Sequence, residues 1–366
     1  MLPQIPGERV KDTWHLRDLR IRVSELMQTN SSPNRQLTYA CRFPGAQPVS
    51  FASRHIEDEL MQEDYFVSEK ADGVRCMMFT TALRDGQGES FLIDRKNEYY
   101  MLNFGLWRKG YNDVHFDTVL DGELVFEVKK DRTGRDIQRL CFLLFDAMVV
   151  DGKNLCDRPY TKRLGYLREF VIIPHIENLK RNPQYEQDYP FQIIQKRLEL
   201  SYRVKKVFDH MEGYHHKTDG VIFTSSVAPY VAGTCQKMIK WKPSEENTVD
   251  FKVLGMHASS MYPLFRIGIL ENRNQYSDFG IITLSEETAI EWTANPPIGR
   301  IIECRYDPNW PLNWQFSRFR DDKDSANHIS TYNSIMVSIN DNVSKEQLVR
   351  SAEGIESAWK KREINK

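Results

Sequence analysis

Between Leu140 and Val150 the chain runs Leu-Cys-Phe-Leu-Leu-Phe-Asp-Ala-Met-Val-Val, apolar at every position but Asp146. A run of this length is the pattern of a strand buried on both faces, and it is too short to cross a bilayer. A strand of that kind needs layers of structure on either side. With 366 residues the chain has enough material for a large core and for two domains. Asp146 constrains the strand further, because a buried carboxylate is costly unless it is paired, hydrogen-bonded or near a metal. A structural and a functional role are both open for it.

Composition narrows the class without naming a function. Forty per cent of residues are hydrophobic and 28 per cent charged, which excludes a wholly disordered or fibrous chain. The net charge of -1 leaves no global field for steering a polyanion, so a nucleic-acid partner would have to be held by a local basic cluster. The six cysteines (Cys41, Cys76, Cys141, Cys156, Cys235 and Cys304) lack zinc-ligand spacing and read as reduced core thiols. Pro3, Pro6, Glu8 and Arg9 stand where a signal peptide would be apolar, so a soluble intracellular protein is expected. Lys360-Lys-Arg362 is too short to serve as a nuclear address.

The first candidate for chemistry is Glu69-Lys-Ala-Asp-Gly-Val-Arg75. Tyr65–Val67 and Val74–Phe79 read as strands on either side of a turn at Ala71-Asp-Gly73, a hairpin signal with Lys70 where one strand ends. A lysine becomes a nucleophile only after losing its proton, which nearby positive charge or desolvation promotes. Arg75 is one such neighbour. Lys-x-Asp-Gly alone arises by chance in roughly one protein in ten of this length, and most such matches are solvated turns.

Other segments supply possible partners. In Thr118–Glu127 strand alternation places Asp121, Glu123 and Glu127 on one face and Leu124 and Phe126 on the other, facing either water or a polar cleft. Phe91–Leu102 reads as two strands around a polar turn carrying Arg95. Arg158–Phe170 and Lys196–His210 read as helices. Thr218-Asp-Gly-Val-Ile-Phe-Thr224 repeats the Asp-Gly-then-strand arrangement of Asp121-Gly122. In Lys237-Met-Ile-Lys-Trp-Lys-Pro243, Lys240 and Lys242 project to one side and Ile239 and Trp241 to the other. Two ammonium groups aimed together suit a phosphate, and would favour a neutral lysine nearby; a charged edge strand that discourages aggregation is the plainer alternative. Beyond Pro243-Ser-Glu-Glu-Asn247 the pattern changes to five short strands in about 75 residues, the signal of a small barrel. Ser344–Lys361 closes the chain as an amphipathic helix.

Taken in order, Lys70-Ala-Asp-Gly-Val-Arg75, Asp121-Gly-Glu123, Phe145-Asp146, Asp219-Gly220, Lys240-Trp-Lys242 and Arg320-Asp-Asp-Lys323 resemble the covalent nucleotidyltransferases, the superfamily of mRNA capping enzymes and polynucleotide ligases. Phe43-Pro-Gly-Ala-Gln-Pro-Val-Ser-Phe51 and Glu246-Asn-Thr-Val-Asp-Phe251 are similar to the fungal, monofunctional type of mRNA guanylyltransferase. The resemblance implies an α+β nucleotidyltransferase domain, with ATP-grasp-like or ligase-type antiparallel sheets and helices, over residues 1–243. It further implies an OB-fold β-barrel over 244–343, and 344–366 form the C-terminal helix.

By the same resemblance, Lys70 attacks the α-phosphate of GTP and passes GMP to the 5′-diphosphate end of RNA. Arg75 and Glu123 would hold the ribose, Phe145 would stack on guanine, and Lys240 and Lys242 would grip the α-phosphate. Arg95 would lie near sugar or phosphate, while Arg320 and Lys323 orient pyrophosphate with Asp322 as conformational partner. Asp219 and Asp250 fit positioning of metal (Mg2+ or Mn2+) or water. The implied partners are a separate RNA 5′-triphosphatase and the phosphorylated C-terminal tail of RNA polymerase II, in the nucleus, with no membrane. The alternatives are an ATP-dependent polynucleotide ligase, separable by label transfer from GTP and ATP, and an inactive RNA- or polymerase-binding module. Four retained lysines, Lys70, Lys240, Lys242 and Lys323, argue against the second.

Overall fold

The apolar run of residues 140–150 lies inside a longer strand, Asp136–Val150, at the centre of a computed structural model that describes residues 2–28, 42–82, 88–110, 113–131, 133–257, 264–272 and 274–364. The chain divides into two units: Met1–Val49 with Asp58–Lys240 and Ser351–Lys366, and Ser50–Glu57 with Trp241–Arg350. Cys41 and the loop expected at Asn30–Arg35 lie outside the described residues.

Up to Trp241 the strands are β1 (Glu8–Arg9), β2 (Ala46–Ser50), β3 (Tyr65–Ala71), β4 (Val74–Ala82), β5 (Gly88–Ile93), β6 (Tyr99–Leu102) and β7 (Thr118–Lys130). They continue with β8 (Asp136–Val150), β9 (Lys153–Asn154), β10 (Gln192–Gln195), β11 (Glu199–Leu200), β12 (Thr218–Ser225) and β13 (Gly233–Trp241). An eight-stranded sheet has the order β1-β6-β5-β4-β7-β8-β10, with β9 beside β8, and a five-stranded sheet the order β11-β3-β12-β13-β2. The large sheet is buried on both faces, as the apolar run requires. Cys76 and Met78 of β4 join Leu120, Leu124, Phe142 and Leu144 in one core, while the alternate residues Met77 and Phe79 join Val119, Phe91 and Met148 in another. Each large apolar side chain enclosed in this way contributes roughly 1.5–3 kcal/mol.

Two expectations need correction. Although β3 and β4 form where the sequence places them, they do not pair: β3 belongs to the five-stranded sheet and β4 to the eight-stranded one. The chain changes sheets at Asp72-Gly73, and a Cβ on Gly73 would lie 2.2 Å from the Leu124 carbonyl oxygen, so only glycine fits the crossing. The helix expected over Lys196–His210 is confined to Val204–Met211, and Lys196 lies between β10 and β11. The other expected helix starts at Tyr160, and the helical path continues through Leu167–Ile172 to Arg181.

Asp146 has a structural partner. Arg163 donates to it from Nε at 2.8 Å and Nη2 at 2.9 Å, and to the carbonyl oxygens of Arg158 and Ala228 at 2.6 and 2.8 Å. The five described cysteines are buried and unpaired, and burial pushes the Cys141 and Cys156 thiols up to about 12, consistent with inert core groups.

His175 is 3% exposed, packs its ring edge-on against Tyr189, and is held by burial down to about 4. In the unfolded chain it binds a proton at its ordinary value near ~6.5, so stability present above that pH is lost as the pH falls towards 4, by roughly 3 kcal/mol at most. Denaturant unfolding between pH 7 and 4.5 is expected to show this slope, and His175→Leu should flatten it.

The second unit contains all five strands expected of it: β14 (Thr248–His257), β15 (Leu264–Asn272), β16 (Gln275–Ile282), β17 (Ile301–Tyr306) and β18 (Trp314–Phe319). They form one antiparallel sheet in the order β16-β15-β14-β17-β18. Its core includes Val249, Phe251, Phe265, Ile267, Trp292 and Trp314. A helix at Glu286–Ala294, capped by Ser285, carries Trp292, and a second at Ile329–Asp341 contributes Ile335 and Ile339. The closing helix spans Lys345–Ile364. Within the first unit its Trp359 packs on Tyr202 and Arg362 donates from Nε to Asp64 at 2.9 Å. The architecture is α+β.

Candidate active site

Strand pairing explains where the functional side chains point. In the ladder between β3 and β12, Thr218 is opposite Ala71 and Gly220 is opposite Lys70, leaving Asp219 as an extra residue in a bulge. Gly220 has φ +153°, a backbone state that L side chains rarely adopt. The bulge delivers the Asp219 carboxylate to Lys70, whose Nζ donates to Oδ1 at 2.7 Å and Oδ2 at 2.9 Å. A carboxylate therefore lies against the amine, where the sequence suggested cations. An ammonium beside a carboxylate has an acceptor in place for its proton.

A second bulge sets Phe145. Between β7 and β8, Asp121 pairs with Asp146 and Gly122 with Leu144, so Phe145 is the extra residue and leaves the regular alternation. Its carbonyl accepts from the Tyr160 hydroxyl at 2.9 Å, fixing the bulge from behind. Two cations approach the ring, with Arg75 Cζ 4.7 Å and Lys196 Nζ 5.5 Å from its centroid.

Arg75 is committed elsewhere than the sequence proposed. It is 8% exposed and donates to Asp121 from Nε and Nη2, both at 2.6 Å, and to the Ala46 carbonyl at 3.3 Å. Asp121, fully buried, also accepts from the Tyr230 hydroxyl at 2.5 Å. Asp121 thus faces neither water nor an open cleft; it is the counter-charge of Arg75. Glu123, half-buried, is opposite Arg75 in the β4–β7 ladder.

The remaining residues fall as follows. Lys240 is half-buried on β13, the strand next to β12 in Lys70's own sheet, between Ile239 and Trp241, which are 0% and 4% exposed. Lys242 follows the end of β13 and belongs to the second unit. Arg95 is exposed at the β5–β6 turn, as expected. In the second unit Arg320 donates to both oxygens of Asp322 at 2.8 and 2.7 Å and to Asp250 at 3.2 Å, while Lys323 hydrogen-bonds Asp250. Burial opposes ionisation of Asp322, yet the bond from Arg320 prevails and holds its carboxyl down to about 2.

The metal assignment divides on this geometry. Among the described residues no group of three or more His, Cys, Asp or Glu is placed to hold an ion. Magnesium sites commonly use one or two carboxylates completed by water and substrate phosphates, so Asp219 beside the candidate nucleophile fits that chemistry. Asp250 does not: it is 3% exposed and neutralised by Arg320 and Lys323.

Sequence reasoning missed Lys196, read there as part of a helix. It is 5% exposed, and among the described residues its ammonium forms no salt bridge. No local pattern marks it. The strand β10, which places it, pairs in parallel with β8, and the Lys196 amide donates to the Leu144 carbonyl at 2.7 Å, next to Phe145.

A lysine held against a carboxylate, and an aromatic ring approached by two cations, are groups suited to a nucleotide, and the class is a nucleotidyltransferase. The catalytic domain of mRNA capping enzymes matches residues 3–244, and the C-terminal domain of mRNA capping enzymes matches residues 246–349. The chain belongs to the mRNA capping enzyme family. It is 34% identical to the mRNA-capping enzyme subunit alpha of Yarrowia lipolytica over 99% of this chain and 93% of that one. It is 36% identical to the subunit of the same name from Schizosaccharomyces pombe, over 94% and 86%. A solved mycobacterial DNA ligase D complexed with ATP and MES shares 17% identity at a TM-score of 0.38, covering 76% of this chain and 94% of its own, a likeness too distant to argue from.

Proposed function

We infer that this chain is a GTP:mRNA guanylyltransferase. The observation that carries the reading is the Lys70 amine, bonded to Asp219 at a bulge and lying in a chain of this family. The amine passes its proton to Asp219 and attacks the α-phosphorus of GTP. An N–P bond forms, the bond to the β-phosphate breaks, and pyrophosphate leaves. A terminal oxygen of a 5′-diphosphate RNA then attacks the same phosphorus, the N–P bond breaks, and the amine recovers a proton. Phosphoryl transfer of this kind depends on alignment and on positive charge at the nonbridging oxygens. Lys240 and Lys242 supply that charge on either side of Trp241. Asp219 would hold a divalent ion, Mg2+ or Mn2+, which would supply further positive charge to the phosphates.

Phe145 stacks on the base, and Lys196 at the ring suits a carbonyl oxygen on the base edge. That oxygen is present in guanine, whereas adenine carries an amino group there. The ammonium thus favours GTP and disfavours ATP, against the ligase alternative. Glu123 borders the ribose together with Arg75, and Arg95 serves sugar or phosphate. Arg320, Lys323 and Asp322 act on the pyrophosphate, with Asp250 as the buried anchor of the two cations. The second unit's sheet, with a helix between its third and fourth strands, suits an OB-fold barrel. Relatives named subunit alpha imply a second subunit, which we assign to a separate RNA 5′-triphosphatase. The polymerase II tail and a nuclear location belong to the same reading.

The test is incubation with α-labelled GTP and magnesium, scored as label bound covalently to the protein; no label from GTP, or label from ATP alone, would overturn it. Two variants refine it. Asp219→Asn removes the proton acceptor and is expected to slow capture of GMP by roughly 100-fold or more, measured in single turnovers. Lys196→Ala should erode the preference for GTP over 2-aminopurine riboside triphosphate, which lacks the carbonyl oxygen, by roughly 10- to 100-fold.

A further inference from the structure

Of residues 141–150 Phe145 alone is not buried, and its ring is the one that Arg75 and Lys196 approach. The alternation that aims its neighbours is broken at a bulge, so the direction of its side chain has to be set from outside the ladder. Three consecutive residues of β8 are each gripped from another element. The Lys196 amide donates to the Leu144 carbonyl at 2.7 Å, the Tyr160 hydroxyl to the Phe145 carbonyl at 2.9 Å, and Arg163 to both oxygens of Asp146 at 2.8 and 2.9 Å. Tyr160 and Arg163 are three apart at the start of one helix and share a face of it.

Tyr160 is itself held in place. It is 3% exposed, its ring meets Phe66 edge-on with centroids 6.0 Å apart, and Arg163 Cζ lies 5.3 Å from its ring centroid. Phe66 and Lys70 are four residues apart on β3 and point to the same side, so Tyr160 reaches from the nucleophile's own strand face to the bulge of β8. Burial pushes its hydroxyl up, which keeps it a donor across the working pH range.

We propose that Tyr160 is the positioning residue of Phe145: its hydroxyl, steadied by Phe66 and Arg163, pins the peptide of the bulge, aims the ring, and so sets the affinity for the guanine of GTP. Buried as it is, Tyr160 does not meet substrate; it acts through Phe145. The proposal rests on the guanylyltransferase reading and deepens it, adding a residue that governs base binding from behind the site.

The experiment uses the full chain and follows the rate of GMP capture against GTP concentration for wild type, Tyr160→Phe, Phe145→Leu and the double variant. Tyr160→Phe deletes one oxygen and keeps the ring; it is expected to raise the half-saturating concentration of GTP about tenfold, with the maximal rate within about twofold. In the double variant it should add nothing to the loss already caused by Phe145→Leu. A merely structural tyrosine would lower the unfolding midpoint and leave half-saturation unchanged. 4-Aminophenylalanine at position 160 keeps a donor of the same reach, though a weaker one, and should give a half-saturating concentration between those of wild type and Tyr160→Phe. Should Tyr160→Phe fail to fold, the amino analogue takes its place, with an expected rise of about two- to threefold that is silent with Phe145→Leu. Unchanged half-saturation, a loss confined to the maximal rate, or losses that multiply in the double variant would each overturn the proposal. Failure of the guanylyltransferase reading is distinguishable, because wild type would then take up no label at all.

Discussion

Lys70→Ala is expected to abolish capture of GMP from α-labelled GTP, with a loss of at least about 10⁴-fold, because no other group can form the N–P bond. Lys70→Arg makes the prediction sharper. It keeps the positive charge opposite Asp219, but a guanidinium does not surrender its proton, so it should be as inactive as alanine. If the role of Lys70 were only to attract phosphate, arginine would retain much of the activity. Neither substitution should disturb folding greatly. Lys70 and Asp219 keep side-chain exposures of 21% and 18%, so loss of their ion pair is expected to move stability by about 1 kcal/mol. Equal labelling of wild type and Lys70→Ala would remove the basis of the functional assignment.

The second large effect is structural. Asp121→Ala strips Arg75 of its counter-charge inside a fully buried cluster and leaves the Tyr230 hydroxyl without its acceptor. Breaking one side of a buried pair costs about 3–5 kcal/mol, which denaturant unfolding should resolve as a clear drop in midpoint. Replacing both charges, as in Arg75→Leu with Asp121→Leu, should regain much of that stability, since apolar packing often substitutes well for a buried ion pair. Activity should not return with it, because Arg75 also lies against the ring of Phe145. A double variant as unstable as Asp121→Ala would mean that shape, and not charge, is what the cluster maintains.

Some of this was legible in residue order. The apolar run of residues 140–150 requires a strand covered on both faces, and β8 is one; the five short strands after Pro243 pair as one sheet; Ile239 and Trp241 are buried on either side of Lys240. These follow from side-chain periodicity, which is local. The hairpin at Asp72-Gly73 was misread because the same turn signal serves a chain that reverses within one sheet and a chain that passes to another. The helix at Lys196 was misread because its periodicity was mixed, and parallel pairing with β8 decided the outcome.

The amino-acid sequence by itself determined the long apolar strand, the five strands after Pro243, which of their faces are apolar, and that a lysine followed by Ala-Asp-Gly lies where a strand ends. Only the tertiary structure decided that Asp219 and Phe145 each stand at a bulge, that Arg75 belongs to Asp121, and that Lys196 lies at the ring of Phe145. The reason is that register belongs to two strands at once. One extra residue on either partner turns a side chain towards a different neighbour, and that choice is made by segments roughly 25 to 150 residues away, beyond the reach of any local pattern.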